Sequence, residues 1–179
     1  CAATALPFCV LGACSTTAVD TVDPNEKSST SYSTGLSHNK VNFYTATTTR
    51  ALTQIEAYLS PSATTTLTWT VYEAATQTGT YTAIWSGTSS ATSGVGYKSS
   101  GTIATPVTLR AGYYYGIAVS WPTPSSFIFY YRATTAFPIP VSFGSLTSAS
   151  PTSVTTGTTY YSSPASYYPQ RLTTVPTSG

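Results

Sequence analysis

The chain is 179 residues long, one domain's length, with 41% hydrophobic, 13% aromatic and only 7% charged residues and a net charge of +2. Charge stands far below the roughly 25% of an average soluble protein, and 37 Thr and 26 Ser fill the gap. The aromatic content excludes intrinsic disorder, seven scattered Lys and Arg exclude a basic nucleic-acid-binding patch, and no stretch approaches the ~18 unbroken apolar residues of a membrane-spanning helix.

Position 1 is Cys rather than Met, which points to a matured chain or fragment whose secretory signal is already gone. All three cysteines, Cys1, Cys9 and Cys14, lie in residues 1–15. An odd count leaves one thiol over if two pair, so this set reads as a disulfide plus an intersubunit bridge. Zinc is a poor fit, because His38 alone could supply a fourth ligand and the spacing matches no finger. Residues 5–14 are the most apolar decapeptide, with Leu6, Phe8, Val10 and Leu11 as its large side chains. Three readings stay open for this arm. Leu11-Gly12-Ala13-Cys14 resembles a lipobox, which implies a lipid anchor on a Cys. An apolar terminal strand can also leave its own domain and pair with a neighbour's sheet edge, or fold back on its own sandwich as an edge strand.

Residues 16–40 turn polar and read as a connector. Asp20, Asp23, Asn25 and Glu26 place four oxygen donors within seven residues, a candidate calcium loop. Their spacing matches no EF-hand, and a polar hinge explains them equally; no other cofactor is indicated.

Residues 41–175 form the expected domain, with 176–179 as a tail. Leu67, Trp69 and Val71 alternate with threonines, which predicts a half-buried strand. Thr53, Ile55, Ala57 and Leu59 alternate with Gln54, Glu56 and Tyr58, and the same period runs through Tyr81 to Trp85, Tyr113 to Trp121 and Phe127 to Tyr131. Further strands are expected at 41–47, 95–100, 107–110, 141–147, 158–161 and 168–174. About ten short strands punctuated by Gly, Pro and Ser, with helix formers scarce, predict an antiparallel two-sheet β-sandwich of jelly-roll type.

Tyrosines cluster as Tyr113-Tyr114-Tyr115, Tyr130-Tyr131, Tyr160-Tyr161 and Tyr167-Tyr168. Neighbouring side chains in a strand point to opposite faces, so each pair is expected to set one ring outside the core. Tyr114, Tyr130, Tyr131, Tyr160, Tyr161, Tyr167 and Tyr168 are therefore candidates for a subunit interface or a glycan platform, since Tyr joins an apolar ring to a polar tip. Aromatic cross-strand pairing alone explains them as well.

The central run, with Gly94-Val95-Gly96-Tyr97 and Leu109-Arg110-Ala111-Gly112-Tyr113-Tyr114-Tyr115, resembles secreted bacterial β-sandwich modules over roughly residues 50–121. Such modules occur in surface proteins and adhesins and beside extracellular hydrolases, so the resemblance implies a fold and a location. It carries no binding residue over to this chain.

Catalysis is poorly supplied. His38 has no nucleophile elbow to serve, and Glu56 and Glu73 are the only carboxylates in the strand region for a two-carboxylate glycosidase. A surface so poor in charge lacks the common guard against edge-to-edge association, unless O-glycosylation of the Ser and Thr runs protects it. N-glycosylation is excluded, because Asn25, Asn39 and Asn42 lack the acceptor context. The expectation is a non-enzymatic extracellular structural subunit of a filament, pilus-like fibre or surface layer, self-associating through the N-terminal arm and Tyr-rich faces. The alternative is a carbohydrate-binding or adhesive module, and a third reading is the non-catalytic part of a larger secreted enzyme.

Overall fold

The computed structural model describes residues 16–22, 30–33, 39–122, 127–133, 137–150, 158–160 and 166–177. The three cysteines, the arm residues Leu6, Phe8, Val10 and Leu11, and Asp23, Asn25, Glu26, His38 and Tyr161 lie outside the described residues. Every described element is a strand: β1 (Ala18–Val22), β2 (Thr30–Ser33), β3 (Asn39–Ala46), β4 (Arg50–Pro61), β5 (Thr65–Ala74), β6 (Thr80–Ala91), β7 (Gly96–Ser99), β8 (Val107–Leu109), β9 (Tyr114–Ser120), β10 (Phe127–Ala133), β11 (Ile139–Val141), β12 (Gly144–Ser150), β13 (Thr158–Tyr160), β14 (Ser166–Tyr167) and β15 (Gln170–Pro176).

Two antiparallel sheets face each other as a β-sandwich. The first runs β1-β15-β4-β10-β14, with β2 on β10 and β7 and β8 on β4; the second runs β11-β12-β3-β9-β5-β6-β13. Period-two patterning selects the inner faces. Ile55, Ala57 and Leu59 from β4 meet Leu67, Trp69 and Val71 from β5 and Ile117 and Val119 from β9 in one core cluster. Leu67, Trp69, Val71 and Ile117 are fully buried, each such burial stabilising the fold by about 1.5–3 kcal/mol.

The outer face of the second sheet is also apolar at its centre. Val41, Phe43, Tyr72, Ala74, Tyr81 and Ala118 form a second cluster, with Phe43 and Tyr81 in edge contact at 5.0 Å. This explains why β3 shows no alternation, with Val41, Asn42, Phe43 and Tyr44 all at 0% exposure. A strand covered on both faces reads as a continuous buried run. Between the sheets, Asn42 Nδ2 donates to the Tyr168 carbonyl (2.8 Å) and to Gln170 Oε1 (3.0 Å), Tyr44 OH donates to the same Oε1 (2.8 Å), and Gln170 Nε2 donates to the Ile117 carbonyl (3.1 Å). These bonds make burial of an amide pair tolerable and fix how the sheets meet.

Three expectations are corrected. The polar stretch 16–40 contributes β1 and β2; β1 buries only Val22 fully, so an edge strand that leans on its partner β15 leaves almost no apolar period. The single strand expected over 141–147 is a hairpin, because β11 and β12 pair Val141 with Gly144 across a two-residue turn. Phe143, in that turn, points into the core at 0% exposure, which imitated strand alternation. The strand expected from 168 starts at Gln170, after Pro169.

Candidate functional site

The candidate tyrosines separate into different environments. Tyr167 and Tyr168 are both buried, at 6% and 5% exposure, because β14 ends at Tyr167 and alternation no longer applies. Neither is available to an outward platform. Tyr131 shares the core-facing side of β10 with Phe129, and Tyr114 packs on the second cluster. Tyr160 belongs to β13.

Tyr130 faces outward and has partners that the sequence did not single out. Leu59 pairs with Gly96 on one side and Phe129 on the other, so β7 and β10 flank β4 here. Tyr58, opposite Tyr97, lies between it and Tyr130, with ring centroids 5.2 Å and 5.0 Å away and interplanar angles of 65° and 61°. Around this row the register sets Glu56 opposite both Arg171 and Ser99, and Gln54 Nε2 donates to Ser99 Oγ at 2.9 Å. The Arg171 guanidinium lies 3.6 Å over the Tyr97 ring, a cation–π contact.

The second feature is the outer edge of β6. On one side β6 pairs with β5 from Thr82 to Ala91; on the other, among the described residues, β13 pairs with Thr80, Tyr81 and Thr82. Opposite Val71 and Tyr72 the register shifts by one, and Ile84 is the extra residue, 44% exposed. The bulge turns Ala83 to the second cluster and Trp85 to the core. Beyond it, residues 85–91 have no strand partner on that side among the described residues. Their sequence, Trp-Ser-Gly-Thr-Ser-Ser-Ala, carries no charge and no proline, and no charged residue occurs from 74 to 97. Three other strands at sheet margins carry devices that blunt edges. β11 is three residues long with Pro140 in it, β14 has two residues, and β1 holds Asp20, which accepts hydrogen bonds from Ser142 N (2.7 Å) and Ser142 Oγ (2.6 Å). Both carboxylate oxygens of this calcium candidate thus tie β1 to the β11–β12 turn.

The ionisable groups serve other contacts. Glu73 on β5 pairs with Arg110 and accepts a hydrogen bond from Tyr115 OH at 2.8 Å. Tyr115 OH itself accepts from Arg110 N at 2.6 Å, five residues upstream. With Gly112 in the left-handed region at φ 85°, this is a tyrosine corner that carries the chain from β8 in one sheet to β9 in the other. Burial pushes the Tyr115 phenol up to about 12. Glu56 is in the first sheet and Glu73 in the second. Lys40, 2% exposed, sets its ammonium 4.0 Å from the Phe129 ring centroid and 5.8 Å from that of Tyr168, and burial lowers it to about 8.

No known family model matches the chain, and neither does any curated protein.

Proposed function

We propose that this chain is a non-enzymatic extracellular structural subunit that assembles into a filament, pilus-like fibre or surface layer by strand addition, the apolar arm of one copy pairing with the β6 edge of the next. The observation that carries this reading is the uncharged edge at residues 85–91. Backbone donors and acceptors on a sheet edge are a template for another strand, and here neither Lys, Pro nor a covering strand interrupts them among the described residues. An apolar segment such as residues 5–13 supplies a donor without burying charge. The Thr- and Ser-rich surface hydrogen-bonds across subunit contacts at a lower desolvation cost than charges incur.

The reading is tested by placing the missing guard on the edge. Thr88 is exposed, so Thr88→Lys is expected to leave the fold intact, within about 0.5 kcal/mol, and to shift the protein to monomer in multi-angle light scattering. Deleting residues 1–15 is expected to do the same. Assemblies of unchanged size in both variants contradict the reading.

A further inference from the structure

The outward face of the first sheet is separate from the β6 edge, which belongs to the second, and the assembly reading makes no use of it. We propose that this face binds a neutral polysaccharide chain along the row Tyr130–Tyr58–Tyr97. The row crosses three adjacent strands with ring centroids about one strand spacing apart. It is a track across a sheet face rather than a pit, which suits an extended polymer better than a single small sugar. Because Tyr130 inclines to Tyr58 by 61°, a sugar ring stacks its apolar C–H face on one of these two tyrosines while the other closes its edge, and Tyr97, carrying the Arg171 guanidinium over its ring, bounds the end of the row. The phenol rings of Tyr58 and Tyr130 suit this task, being apolar across the face and polar at the tip, whereas the Tyr97 hydroxyl is buried.

The neighbouring groups complete the chemistry. Glu56, Gln54 and Ser60 lie on the same side of β4 as Tyr58, alternating with the buried Ile55, Ala57 and Leu59, and Arg171 and Ser99 lie opposite Glu56. Together they offer donors and acceptors beside the rings. Glu56 and Arg171 offset each other in register beside Tyr58, and Arg132, two residues beyond Tyr130, is the one further charged group on β10, so the row offers an anionic polymer no cluster of cations. Ile128, 37% exposed and opposite Ser60, is a small apolar contribution beside the broad core of a stable protein interface.

The test is affinity electrophoresis of the full chain in native gels containing hydroxyethyl cellulose, xylan or galactomannan, with hyaluronan as the anionic comparator. Retardation in at least one neutral gel is expected, with a dissociation constant at least tenfold weaker in Tyr58→Ala/Tyr130→Ala. The single variant Tyr130→Ala, at the outer end of the row, is expected to weaken it at least threefold and decides the matter if the double variant fails to fold by circular dichroism. Migration unaltered in all three neutral gels overturns the proposal. So does retardation by hyaluronan alone, or retardation that survives the loss of the tyrosines.

Discussion

Lys40 shows what one residue does to the stability of the whole fold. Its ammonium is held among aromatic rings and lowered from 10.5 to about 8, so between those values the unfolded chain binds a proton that the folded chain has released. Stability therefore rises with pH across roughly 8 to 10. Tyr44, Tyr115 and Tyr168 are all raised above the ordinary 10.0 by burial; the folded chain keeps their protons where the unfolded chain loses them, and stability falls as pH climbs beyond 10. Urea midpoints measured from pH 7 to 11 are expected to peak near pH 10, and Lys40→Met is expected to remove the rising limb while leaving the falling one. A rising limb that persists in the variant assigns it to another group. Lys40 was not legible in sequence, because Ser-His-Asn-Lys before a strand reads as a solvated loop. Its burial depends on Phe129 and Tyr168, which are remote in the chain. The tyrosine corner was legible only as a run, Leu109 to Tyr115, that carried a resemblance; the bond from Arg110 N to Tyr115 OH depends on backbone geometry.

Among the elements, strands that bury one face on their own were readable, as Leu67, Trp69 and Val71 in β5 show. Those that borrow their stability from a neighbour were not. β1 is the clearest case: Val19 is 60% exposed and Val22 buried, and the element is held by its ladder to β15 and by Asp20 on Ser142. Asp20→Ala removes both hydrogen bonds to Ser142 and is expected to cost about 1 kcal/mol, lowering the melting temperature by roughly 2–4 °C; an unchanged melting temperature means that the latch contributes nothing. The Tyr face was half legible for a related reason. Adjacent tyrosines in sequence drew the eye to Tyr130, yet its partners Tyr58 and Tyr97 stand alone in their strands and meet it only through register.

For the whole molecule, the proposed assembly joins a sandwich with blunted margins at β1, β11 and β14 to a stretch of β6 that is uncharged and, among the described residues, uncovered, and such an asymmetric pair of surfaces would associate directionally, head to tail. A heterologous contact of this kind propagates into rings or open fibres rather than stopping at a dimer. Low charge raised the expectation of association from the composition alone, but the edge proposed for it depends on register, since among the described residues β13 pairs with the first three residues of β6 and no others. The most direct measurement is amide hydrogen exchange of residues 85–91, compared between the assembled protein and dilute monomer. Exchange in this segment is expected to slow on assembly, with the paired interior strands unchanged. Exchange there that is equally fast in both states, or a protein that stays monomeric at every concentration, contradicts it.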